Sequence, residues 1–374
     1  MNVADIDFSL QWPQELFLWE AKRIAAMRAS SSFTNMVVCL FAEAFVDGDV
    51  ASSLEQLRQA RGTSWFEETG AHLADAAEVL DAILKRPTLL HGYQPARYWL
   101  ERRGRVTPDS HQKPLEKAFA ELIEEMREVD YFPKVWAKGC VDDGISWGRS
   151  ISDASADIGK AIHADVPWPL GKDPVGVPTD VLYAIIEYFH DQAQRPRTRS
   201  FHSYGDCGWH YDAHNKESGG VVYRWRVNEL LERYNVDLRL GSKGSEKGRL
   251  IRHAGYKLDG LADELSEAPS DSDGQLVADA IQLYRARAST TTQRRAAVTQ
   301  LANYLEKHRQ AFKASEFAKG DESDLFNIFN NFAIRHGNGV QKGEYGDEYL
   351  DWIFWTTLSA IQLLKSITSR KPKP

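Results

Sequence analysis

The sequence predicts a mainly α protein of several domains, with a small central β-hairpin and a C-terminal four-helix bundle. Apolar residues recur at helical spacing through most of the chain, and an alternation of period two is confined to residues 236–252. The 374 residues are also too many for one ordinary core. The composition, 43% hydrophobic and 26% charged, is that of a globular protein and excludes disordered and collagen-like classes. The longest apolar stretches, Met36 to Val46 and Leu350 to Leu364, are broken by Glu43 and by Asp351 and Gln362. Neither reaches the roughly 18 uninterrupted residues of a membrane-spanning helix, so no membrane contact is expected.

The first third reads as helices. After Pro13, tolerated in a first helical turn, Phe17, Ala21 and Ile24 share one face up to the break at Ser30–Ser32. The run from Phe33 to Val46 is apolar nearly all round, as in a helix enclosed on every side. Leu73, Ala77, Leu80 and Leu84 keep a stripe that Pro87 stops. Leu115, Phe119, Leu122 and Met126 repeat the pattern after Pro114. Residues 131–178 lose periodicity and are rich in Gly, Pro, Ser and Asp, which places a domain junction there and an N-terminal helical domain at 1–165.

A middle α+β segment is expected over 166–256. Thr179 and Asp180 are placed to cap a helix that buries Leu182, Ile185, Ile186 and Phe189. A loop with His202, Cys207, His210 and His214 follows, then a helix from Val222 to Tyr234. Val236, Leu238 and Leu240 alternate with Asp237 and Arg239 as a half-buried strand, and Arg249 to Arg252 form its partner across a Gly-rich turn. Gly241 and Gly244 lack the strand-to-helix context of a phosphate-binding loop. From 257 to 374 the chain is helical, with amphipathic segments at Gly274–Arg287, Thr292–Arg309, Glu322–Ile334 and Glu348–Ile367, enough for a four-helix bundle.

The net charge of −7 conceals an asymmetry. Residues 195–252 hold twelve Lys/Arg against seven Asp/Glu, a basic stretch in an acidic chain. Such a stretch is either a solvated face or a contact for phosphate, and Arg195, Arg197, Arg199, Arg224, Arg226 and Lys342 are the candidate nucleic-acid-binding residues. The three cysteines are too few for a disulfide framework, and the N-terminus lacks the order of a secretory signal, so a reducing cytoplasm is expected.

Two constellations bear chemistry. In the first, Arg335 and His336 stand where Gly337 and Gly339 end a helix, with Asn331 and Asn338 near them. An Arg fork grips phosphate oxygens and a His moves a proton, the pair that 2′-hydroxyl attack on RNA requires. The same residues at a helix C-terminus also complement its dipole and need no other role. In the second, Cys207, His210 and His214, with His202 and Asp206 close by, supply soft donors for a metal, but a fourth ligand is not identified, and the preferred reading is a loop without metal whose His and Tyr side chains bond the backbone and neighbouring helices. Arg86 and His91 have nuclease-like spacing, but Pro87 lies between them, far from the terminal bundle.

The last 120 residues resemble the C-terminal domain of bacterial abortive-infection proteins, a helical domain related to the HEPN superfamily. The resemblance rests on Arg294 to Glu306, on Phe329 to His336 and on Tyr349 to Trp355. Cys207 to Tyr211 and Tyr223 to Asn228 are similar to the segment that precedes that domain. The resemblance implies an antiviral defence protein or toxin that acts as a metal-independent ribonuclease. It also implies a homodimer through this domain, no cofactor, and a catalytic Arg and His spaced four to six residues apart. Here Arg335 lies at the matching place and His336 is adjacent to it. Either His336 fills the role from an altered backbone, helped by Asn331 and Asn338, or the domain is a non-catalytic binder of nucleic acid or a partner.

Overall fold

A computed structural model describes residues 8–46, 68–93, 113–136, 140, 151–170, 176–203, 207–267, 272–315, 320–332 and 345–369. The chain forms two compact units, Met1–Arg226 and Val227–Pro374. The expected middle segment is thus divided between them, and the boundary falls inside a helix. Among the described residues no helix is long and apolar enough to cross a membrane.

In the first unit the order is β1 (Ser9–Leu10), α1 (Gln14–Ala25), α2 (Phe33–Ala44), α3 (Glu68–Lys85), β2 (His91–Gly92), α4 (Leu115–Glu128), α5 (Ile151–Ile162), α6 (Thr179–Gln192), β3 (Thr198–His202) and β4 (Gly208–Asp212). Helix α7 (Lys216–Arg233) then runs out of this unit. Helices α1, α4 and α6 each begin directly after a proline, Pro13, Pro114 and Pro178, with φ near the ring-locked value and extended ψ. A proline has no N–H to leave unsatisfied at a helix start. Thr179 is therefore the first residue of α6, and no side chain caps that helix.

Two aromatic clusters fill this unit. Phe17, Phe41 and Phe45 meet edge to face or tilted where α1 and α2 pack. Phe132, Trp136, Trp168 and Phe189 surround one another beside Phe119. Strands β3 and β4 pair antiparallel from Thr198↔Asp212 to His202↔Gly208. The stretch expected as a loop is therefore a hairpin, and β-structure extends beyond residues 236–252. Helix α7 starts six residues before the expected Val222: the Asn215 side chain accepts from the Ser218 N–H at 2.9 Å, the bond of an N-cap.

The second unit contains β5 (Leu238–Leu240) paired antiparallel with β6 (Leu250–Arg252), as the alternation predicts. Six helices follow: α8 (Tyr256–Leu265), α9 (Ser272–Arg285), α10 (Thr291–Lys307), α11 (Arg309–Lys313), α12 (Asp321–Asn331) and α13 (Asp347–Ser369). Four of them correspond to the four expected segments. The bundle core holds Val277, Ile281, Val298, Leu301, Leu305, Phe326, Phe329, Ile353, Phe354 and Leu358. Tyr284 stacks on Phe354 with centroids 3.7 Å apart. Thr290 begins α10 with a capping box, its hydroxyl accepting from the Gln293 N–H while the Gln293 side chain accepts from the Thr290 N–H.

Candidate functional site

The β3–β4 hairpin has two chemically different faces. Because strand side chains alternate, Arg199, Phe201, Trp209 and Tyr211 share one face, and Ser200, His202, His210 and Asp212 the other. On the first face Phe201 is 62% and Trp209 41% exposed, their rings meet edge to face at 5.2 Å, and the Arg199 guanidinium lies 4.2 Å over the Trp209 ring. Burial, against which Arg199 works, pushes the Tyr211 hydroxyl above its ordinary value.

On the second face His202 and His210 bring their rings to 5.7 Å. Cys207, just before β4, and Cys140, which is 62 residues before His202, complete a group of four. One donor atom from each of the four lies within 4.8 Å of all the others. Cys140 Sγ is 3.6 Å from His202 Nδ1, and the buried Nε2 of His210 has no hydrogen-bond partner among the described residues. Gly208, at φ +72°, gives the left-handed turn that links Cys207 to the strand.

The expected triplet of Cys207, His210 and His214 is thus brought together only in part. His214 leaves the group because its Nε2–H donates to the backbone oxygen of Asp130 at 3.1 Å and to its carboxylate at 3.0 Å. Cys140 takes the place that sequence reasoning left unfilled. Its only signal in the sequence is that it is one of three cysteines. Asp206 lies outside the described residues.

Part of the basic stretch is buried inside the protein. Arg195 is 0% and Arg197 6% exposed, and both donate to the carboxylate of Glu20, itself 0% exposed. Arg195 also donates to Glu43 at 2.8 Å, and Arg197 to Ser218 at 3.1 Å. Burial of Tyr131, which donates to Glu43, drives its hydroxyl well above the ordinary value. Arg224 is buried and donates to His190 Nε2 at 2.9 Å. Arg226 reaches Glu125 at 2.6 Å. The expectation that Arg195, Arg197 and Arg224 meet phosphate is corrected accordingly: all three are buried, Arg195 and Arg197 against the Glu20 carboxylate and Arg224 against the His190 ring. Of the five arginines expected between 195 and 226, Arg199 is the one on the open aromatic face.

Of the expected catalytic group, Asn331 is the last residue of α12 and is exposed. Arg335, His336 and Asn338 lie outside the described residues, as does Lys342. The residues on either side of that segment meet: Phe332 and Tyr345 place their ring centroids 5.2 Å apart, and Phe332 also touches Tyr349 and Trp352 of α13. Arg295 of α10 lies 4.6 Å over Tyr345. Of the Arg86 and His91 pair, His91 bonds the Ser9 hydroxyl through Nε2 at 2.8 Å. Comparison with known proteins finds no family model, no curated protein and no solved structure that matches this chain.

Proposed function

We propose that the chain is a cytoplasmic defence protein of the abortive-infection type that cleaves RNA without a metal in the reaction, using Arg335 and His336. The observation that supports this reading is the contact of Phe332 with Tyr345, which brings together the two flanks of the segment that carries Arg335 and His336, between the last two large helices of a helical bundle. The chemistry needs Arg335 and His336 to stand off a regular helix, since consecutive residues on one diverge by about 100° and cannot both face one phosphate. In the reaction the ribose 2′-oxygen attacks the neighbouring phosphorus and the bond to the 5′-oxygen breaks. One proton leaves the 2′-hydroxyl and one is delivered to the departing 5′-oxygen; His336 carries a proton and Arg335 holds the phosphate.

A second reading, binding without cleavage, is favoured by the open face of β3–β4. Exposed Phe201 and Trp209 with Arg199 are the stacking and cationic elements that hold single-stranded nucleic acid without regard to sequence. Incubation of the full-length protein with single-stranded RNA, no divalent cation being added, separates the two. Cleavage that disappears in Arg335→Ala and His336→Ala is expected. Intact RNA with wild-type protein, or cleavage unchanged in His336→Ala, overturns the nuclease. Binding that then falls with Trp209→Ala upholds the second reading.

A further inference from the structure

We propose that Cys140, His202, Cys207 and His210 bind one Zn²⁺ ion, which fastens the β3–β4 hairpin to the chain that follows Trp136. The four ligands are two thiols and two imidazoles with no carboxylate among them. Such a borderline-soft set suits Zn²⁺ and is foreign to Mg²⁺ or Ca²⁺, which take oxygen ligands.

The distances agree with this. Tetrahedral zinc holds sulfur at about 2.3 Å and nitrogen at about 2.0–2.1 Å, so neighbouring S and N ligands are about 3.5 Å apart. Cys140 Sγ and His202 Nδ1 are 3.6 Å apart, and no pair among the four donor atoms exceeds 4.8 Å. A second observation is independent of those distances. Among the described residues the buried His210 Nε2 has no hydrogen-bond partner. A buried nitrogen left unpaired is costly, and a metal bond removes the cost.

The construction explains why an ion is needed. Two-stranded hairpins are marginal by themselves in water. This one exposes Phe201 and Trp209 on its open face, so little apolar burial holds its tip. On the other face His202 and His210 come from the two paired strands and Cys207 from the turn between them. Cys140 arrives from a segment anchored in the aromatic core, where Trp136 stacks on Phe189 at 5.6 Å. One ion thereby cross-links four points on two stretches of chain. With all four places of the tetrahedron taken by protein, the centre is structural and offers no open position to a substrate. This inference stands or falls separately from the RNA-directed reading.

Metal analysis of the full-length protein, purified without chelator, tests it. One zinc per chain is expected. Cys140→Ser and His210→Ala should each retain roughly tenfold less or lower still, while His214→Ala, whose ring bonds Asp130, keeps its zinc. Should the ligand variants fail to fold, two measurements on wild-type protein decide. Blocking the thiols with a mercurial should release one zinc to a chromogenic chelator. Replacement by Co²⁺ should give the intense visible bands of tetrahedral coordination with thiolate charge transfer. Wild-type protein that neither carries zinc nor takes up Co²⁺ in equal amount overturns the proposal, as do a weak octahedral Co²⁺ spectrum and full zinc retention by a folded Cys140→Ser.

Discussion

Glu20 is 0% exposed, and its carboxylate accepts from Arg195, from Arg197 and from the Ser218 hydroxyl at 2.7 Å. Those partners lie 175 or more residues away in sequence. A count of charge along the chain therefore assigns to a basic stretch two arginines that the folded protein neutralises. A second buried network joins Arg239 and Arg285 to Asp259, Asp263 and Glu246. Asp263 and Glu246 are shifted in opposite directions. Burial pushes Asp263 up, but Arg239, Arg285 and the Ser242 hydroxyl outweigh it and hold the carboxyl below its ordinary 3.8. The stability it contributes is complete above 3.8 and is lost as pH falls through the lower folded value. Burial raises Glu246 above its ordinary 4.5 despite Arg285, and its Oε1 has no hydrogen-bond partner among the described residues. Its contribution is complete below 4.5 and is lost as pH rises through the folded value. At pH 7 Asp263→Asn should therefore lower the thermal midpoint, whereas Glu246→Gln should raise it and flatten its dependence on pH above 4.5. Melting curves across pH check both, and a destabilised Glu246→Gln at pH 7 would contradict the assignment.

At the scale of elements, helices were legible and the decisive hairpin was not. Phe17, Ala21 and Ile24 of α1, or Phe119 and Met126 of α4, lie on one face and are buried, so the 3.6-residue period reports them. Strand β3 reads Thr-Arg-Ser-Phe-His and is nowhere deeply buried, so it has no apolar alternation to display. Its partner β4 is the same. The start of α7 was obscured for another reason: Gly219 and Gly220 argue against a helix by propensity. Their use is close approach. A Cβ on Gly219 would stand 2.4 Å from Gln194 Cα and 2.6 Å from the Ala193 oxygen, backbone atoms that cannot swing aside. Gly219→Ala should cost about 1–3 kcal/mol in a denaturant titration, whereas an alanine at Gly260, with nothing within 4 Å, should not destabilise its helix. Equal midpoints for Gly219→Ala and wild type would show that α7 does not need this contact.

For the molecule as a whole, the existence of a C-terminal bundle follows from four amphipathic segments joined by short connections, but the division of the chain does not follow from hydropathy. A boundary at Arg226 and Val227 lies within α7, where neither composition nor periodicity changes. The metal donors are spread from 140 to 210, all in the first unit, and the Arg335 and His336 segment belongs to the second. The proposed ion and the proposed cleavage are thus housed in different units, and removal of the metal distinguishes their roles. A strong chelator should cause amides of residues 198–212 to lose hydrogen-exchange protection, because the hairpin loses its cross-link. Amides in the bundle helices α9, α10 and α13 should keep theirs, since their core of Ile281, Leu301 and Phe354 contains no metal donor. If the segment that carries Arg335 and His336 cleaves RNA by itself, the chelated protein should cleave bound RNA at its former rate while binding RNA more weakly. Unchanged exchange over 198–212 would remove the ion from the hairpin. Loss of cleavage at saturating RNA, with α9, α10 and α13 still protected, would instead place a metal in the reaction and overturn the metal-independent chemistry assigned to Arg335 and His336.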